Sequence, residues 1–469
     1  MKKVIPFVIL VVLLVSVSLV VAQGGLPGAG WKSGQQIQNT GNAPAKVVFT
    51  AYDKFGNNYD CGEKNVNPGA SETFLTDVDC TTVPEGFVGS AVVGADQPIA
   101  AIVNVTNRGT GLASAQYQGT DGADVANNVS FPLVKRCHSG RTTTFYVQNA
   151  STSENDITAT FTVGGAPYTK NYDNVPGNAM VVVMPADAGV PCAQGTGSLE
   201  VSGTGPLAGA ALEHEESAAV ASNLSASKAF IDTDGAQNVF CPLYRKAQTA
   251  KRDQTSGVQV QNISGGPVNV DFNFIDSNGT PYGPFSINNL ADGASHTFYA
   301  KAAELASIPD GSVGSATISA TGNVVAVVND AAVDGTIQRK ATYACFGSGS
   351  QTVNVPLAKE FAGGNTTGVQ VQNVGGSPAK VQLEYKATNG STLKIESVNT
   401  VAPGESITAY NVASLGSEWT QLSGSGSMAG TVNGVVATSA QNIVVVANES
   451  SAGATPSNQD TKNYEGFGQ

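Results

Sequence analysis

Histidine, tryptophan and charge are scarce in this chain: three histidines and two tryptophans stand among 469 residues, and only 13% of residues are charged. A general base needs a partner within hydrogen-bond reach, and no acid or nucleophile stands in a recognisable frame around His138, His214 or His296. All three read as ordinary surface residues, and no hydrolytic triad is visible. A CxxC pair with a nearby histidine is missing, which argues against a zinc site. The 54 glycines stand in turn contexts, without the Lys-Ser/Thr sequel of a phosphate-cradling loop. Basic residues are outnumbered 24 to 36. They form no patch that would displace counterions from nucleic acid, so no nucleic-acid partner is expected. Nothing marks a carboxylate pair for glycoside hydrolysis. The expectation is a protein that is not an enzyme, with no catalytic, cofactor-binding or metal-ligating residue to assign.

What the chain does have is an apolar share of 41%, enough to bury a core in each of several units. Its abundant Gly, Ser, Thr, Asn and Val suit strands joined by polar turns. Lys2 and Lys3 precede an apolar run from Val4 to Val21, and small residues lead to a cut between Ala22 and Gln23. That tripartite pattern reads as a secretory signal peptide over residues 1–22. Left uncleaved, the same run is about as long as a short membrane span and would be an anchor. Loss of the two lysines takes the formal net charge from −12 to −14, which favours solubility and mutual repulsion.

One strand is echoed four times: QIQN ending at Asn39, YVQN at Asn149, VQVQN at Asn262 and VQVQN at Asn373, with steps of 110, 113 and 111 residues. A period that long gives each copy its own core. Eight residues on, each copy alternates apolar residues: Val47 and Phe49, Ile157 and Phe161, Val270 and Phe272, Val381 and Leu383. Period two places them on one buried face. Next come PEGFVGSA from Pro84, PDGSVGSA from Pro309, and looser versions at Gly195 to Leu199 and Gly426 to Gly430. Apolar runs close the copies at Ile99 to Val103, Leu207 to Leu212, Val324 to Val328 and Ile443 to Val446. Connectors repeat too, as Phe131-Pro132-Leu133-Val134-Lys135, Cys241-Pro242-Leu243-Tyr244-Arg245 and Val355-Pro356-Leu357-Ala358-Lys359. Proline removes a ladder donor, so each reads as an edge strand or a stiff bridge, and a string of bridged units would be elongated. Cores are drawn at residues 31–117, 141–230, 255–345 and 366–466. About 100 residues, roughly seven strands and frequent turns per copy suit an all-β fold of four tandem immunoglobulin-like β-sandwich modules. A jelly roll fits nearly as well.

Cys61, Cys80, Cys137, Cys192, Cys241 and Cys345 are an even set, and in an exported chain disulfides are the default. Six cysteines allow 15 pairings. Sequential pairing is attractive because it keeps each bridge within one copy. The Glu213, His214, Glu215 and Glu216 cluster reads as a solvated loop. Asp121 with Asp124, and Asp232 with Asp234, recur before the connectors and leave interdomain calcium open, although no cofactor is assigned. Nine Asn-x-Ser/Thr sequons occur, including those at Asn149 and Asn262.

Gly257 to Asn262, Gly86 to Ala91 and Pro98 to Asn104 carry GVQVQN, GFVGSA and PIAAIVN. In these stretches the chain resembles secreted bacterial tandem-repeat proteins with immunoglobulin-like modules. The likeness covers nearly the whole chain after the signal, and copy two departs most, with Glu213 where the others carry asparagine. Such a resemblance implies a secreted or cell-surface location and a structural role as spacer, filament or coat. Its partners would be itself or other surface components. Adhesion, with glycans or another ligand bound on loops, is the alternative, although sugar platforms usually want exposed aromatics and Trp31 and Trp419 are the only tryptophans.

Overall fold

Side chains that alternate between apolar and polar make strands whose one face is dry. In Ala45–Asp53 the alternate residues Ala45, Val47, Phe49 and Ala51 are fully buried. The computed structural model describes residues 8–15, 24–28, 30–107, 113–215, 223–248, 253–334, 337–451 and 461–468. Among the described residues the architecture is all-β and sandwich-like, with antiparallel pairing and short helical turns such as Thr76–Asp79 and Ala303–Leu305.

The first copy forms two sheets. One runs Asn58–Val66, Ala45–Asp53, Val88–Ala95, Val8–Val15 and Thr120–Asp121, and the other Ser71–Leu75, Trp31–Asn39, Ile99–Asn107 and Ser114–Gln118. In the later copies the two central strands fuse into one long strand, Thr196–Glu215, Val313–Asp334 or Thr431–Ser451. In copy two its first half pairs with Asn155–Val163 and with the connector Ala126–Lys135, and its second half with Arg141–Asn149 and Leu224–Lys228. The connectors are therefore entry strands of the copy that follows them, paired in its sheet, and they precede the drawn bounds 141–230, 255–345 and 366–466. Each shifts register where its proline falls, between Phe131 and Val134, Cys241 and Tyr244, and Val355 and Ala358. A bulge accommodates the missing N–H. In copy three the phenol of Tyr343 accepts from the Leu243 N–H at 3.0 Å and donates to its carbonyl at 2.7 Å. Tyr464 does the same for Leu357.

The repeat's most constant residue pins a corner. Asn39, Asn149, Asn262 and Asn373 are at most 1% exposed. Each donates from Nδ2 across two turns, Asn262 to the carbonyls of Gly266 and Leu290, while its Oδ1 accepts the N–H two residues on.

The copies do not form a string. The closing strands Ser114–Gln118, Leu224–Lys228, Ile337–Ala344 and Thr461–Glu465 each pack against the next, and the fourth packs against the first. Apolar contacts close the same circuit: Leu212 and Leu224 join the core of copy one, Phe230 packs with Val325 and Ala344, Val446 joins copy three, and Ile102 joins copy four. The expected elongated string is thus a closed ring with a pseudo-fourfold axis. The reason is that the connector is consumed as a strand and leaves no bridge to hold the copies apart.

Strand register also corrects the alignment of the copies. Thr143 faces Glu213, Ser256 faces Asp330, Thr367 faces Glu449 and Ser33 faces Val105. Glu213 therefore matches Asp330, Glu449 and Val105, and it is Leu212 that stands where the others carry asparagine. The counterpart of GFVGSA in copy four is Gly430 to Val435, whose strand pairs with the entry strand, so the motif begins where the drawn stretch Gly426 to Gly430 ends. The acidic cluster is not a solvated loop: Glu213 and His214 are buried in a strand, and Glu216 lies outside the described residues.

Candidate functional site

The four closing strands meet around the ring axis, so whatever they carry there is held by all four copies. Tyr343 and Tyr464 turn into their own cores, and alternation turns their neighbours Thr342 and Asn463 the other way. The resulting seam is polar. Ser114 Oγ, Gln116 Oε1, Thr342 Oγ1, Thr461 Oγ1 and Asn463 Nδ2 are buried there without a protein partner.

Near the start of the closing strands, the basic residue that ends each connector meets the acid of the long strand. Lys135 reaches Glu213 at 3.0 Å, Arg245 pairs with Asp330, and Lys359 reaches Glu449 at 3.0 Å. Copies share these ions: Lys340 of copy three pairs with Glu213 of copy two, and Gln116 of copy one donates to Glu449 at 3.4 Å. Burial pushes Lys135 down to about 8 and, with Lys135 and Arg141 nearby, holds Lys340 well below its ordinary value. Burial opposes ionisation of Glu449, yet Lys462 and Lys359 bring its carboxyl down to about 2. Among the described residues of copy one no such pair exists, since Val105 stands in the acid's place.

At the other end of the closing strands all four copies wall a chamber of about 500 Å³. Among the described residues, Asp121, Asp124, Asp234 and Glu465 line it with a single lysine, Lys228. Burial raises the Asp124 and Glu465 carboxyls, and Asp234 adds to the effect on both. Glu465 accepts the Ala344 N–H through one oxygen, and its other oxygen is buried without a partner. An electronegative chamber attracts cations. Of the sequence's calcium candidates, Asp121, Asp124 and Asp234 line it and Asp232 does not. Among the described residues, no three histidine, cysteine or acidic groups come close enough to hold a metal ion.

The joints between copies reuse one position. Ser90, Ser198 and Ser315, the serines of the GSA-like motif, donate to the carbonyls of Asn178, Gly293 and Gly404 in the following copy, at 2.5, 2.5 and 2.6 Å. The same carbonyls accept Gln148, Gln261 and Gln372 from the QN pair of their own copy. At the fourth joint Gly434 replaces serine, because a Cβ there would lie 2.9 Å from both the Gly69 carbonyl and the Gln38 amide. Ser71 instead donates to the Pro356 carbonyl at 2.8 Å. The sequence had shown these serines only as landmarks, since a contact between copies leaves no local pattern.

The cysteines pair as Cys61 with Cys80, Cys137 with Cys192 and Cys241 with Cys345. His214 is 5% exposed, not a surface residue, and is held between the Thr144 hydroxyl and the Glu215 carbonyl. Trp31 and Trp419 are core residues.

No family model and no curated protein matches the chain. Among solved structures it is similar to the crystal structure of Thermotoga maritima 1070, at 14% identity and a TM-score of 0.21 over 24% of this chain and 95% of that one. It is also similar to a 1.5-MDa bacterial ice-binding adhesin, at 11% identity and a TM-score of 0.11 over 70% of this chain and 90% of that one. Scores this low carry no argument about fold or function.

Proposed function

We propose that this protein is a non-catalytic structural component of an extracellular or cell-surface layer, made of four immunoglobulin-like modules and exported behind residues 1–22. In kind it would join the secreted bacterial tandem-repeat proteins. The observation that carries the reading is the use made of the repeat: its signature serines and glutamines build the joints, so repetition yields one stiff body. Three disulfides suit an oxidising exterior. Partners would be further copies or other surface components. The test is electron tomography of the native cell surface with the chain tagged. Tag density in an ordered layer or filament supports the proposal, and tag confined to the cytosol sinks it. A glycan array on purified protein separates the adhesin alternative, which a specific, saturable signal would favour.

A further inference from the structure

In three copies the entry strand ends in a cation that faces an acid on the long strand, and the register shows what stands there in the first copy. Lys135 pairs with Thr196, Arg245 with Val313, Lys359 with Val432 and Val15 with Val88. Val15 thus takes the position of Lys135, Arg245 and Lys359, as Val105 takes that of Glu213, Asp330 and Glu449. Both members of the ion pair have become valine together. Val8–Val15 also pairs over eight residues without the shift that proline imposes on the others, and Leu10 and Val11 reach Asp121 and Thr120 as Ser130 reaches Phe230. We propose that the edge of Val88–Ala95 is a strand-acceptor site for an apolar, uncharged strand, and that Val8–Val15 of the same chain is its cognate occupant. The run read as an export signal then has a second role, completing the first copy by strand addition, which it plays only in a chain that keeps residues 1–22.

The test uses the full chain, refolded under oxidising conditions, and a double-mutant cycle. Val15→Lys alone and Val105→Glu alone each introduce an uncompensated charge and raise the unfolding equilibrium constant by at least about tenfold. The double variant V15K/V105E restores an ion pair and recovers most of the loss. Additive losses would overturn the proposal. A second readout is amide exchange in a chain beginning at Gln23. The expected result is at least about tenfold faster exchange within Val88–Ala95 than in the full chain, slowed again by a lysine-flanked peptide of residues 6–17. Equal protection with and without residues 1–22 would equally overturn it.

Discussion

Ser198 and Ser315 each contribute one hydrogen bond across a joint, and a buried bond of that kind is worth about 1 kcal/mol. Alanine at either position should lower stability by about that much, read from the denaturant midpoint. The fourth joint reverses the sign of the consensus: Gly434→Ser makes that position match the others, yet it should destabilise by about 1–3 kcal/mol, because the added carbon meets the Gly69 backbone. Glu449 supports a pH prediction. Its carboxyl is depressed to about 2 by Lys462 and Lys359, so its stabilisation is fully present above the ordinary carboxylate range and is lost as pH falls toward 2. Glu449→Gln takes the carboxylate from the buried Lys462 and the partly exposed Lys359 and should cost roughly 3 kcal/mol at pH 7. In urea titrations from pH 6 down to pH 2.5 the gap between the two proteins should narrow. At this scale the sequence was half legible. It displayed the constant asparagines but not their duty as corner pins, and two of its sequons, at Asn149 and Asn262, fall on side chains with no free amide to modify.

Strands were the most legible elements, because period-two alternation is a local signal and every alternating run named from the sequence is a strand in the structure. The connectors were harder. Proline marks an edge or a break equally well, and only pairing with a segment some 70 residues away shows which. Cys241 lies on the entry strand of copy three and Cys345 just beyond its closing strand, 104 residues apart, so their bridge staples the entry strand to its own copy. A loop of that size is worth about 4–5 kcal/mol of chain entropy. Replacing both cysteines with alanine should therefore destabilise copy three and raise amide exchange in Ala236–Arg245 before the other entry strands, as mass spectrometry would show. Loss of the Cys61 to Cys80 bridge, which closes only 19 residues, should cost less and leave the entry strands protected.

Closure of the ring was illegible in the sequence for a physical reason: head-to-tail contacts between similarly built units close or run on according to a rotation angle, and no residue pattern encodes an angle. The axis was hidden likewise, since Lys340 and Glu213 are neighbours only after two copies have folded and docked. A closed body of 469 residues should have a radius of gyration near 23 Å, roughly half that of four sandwiches strung end to end, and small-angle scattering separates the two directly. The stronger test removes residues 350–469. A string would lose one bead and keep the stability of the rest. An opened ring instead uncovers the turn at Gly69 and the serine at Ser315, along with Gln116 and Ile102, which the fourth copy had covered. The three-copy chain should melt lower than the full chain and associate as concentration rises, because its two uncovered faces are complementary in kind. If sedimentation shows a stable monomer with an unchanged melting temperature, the copies are independent beads and the ring contacts contribute nothing to holding them.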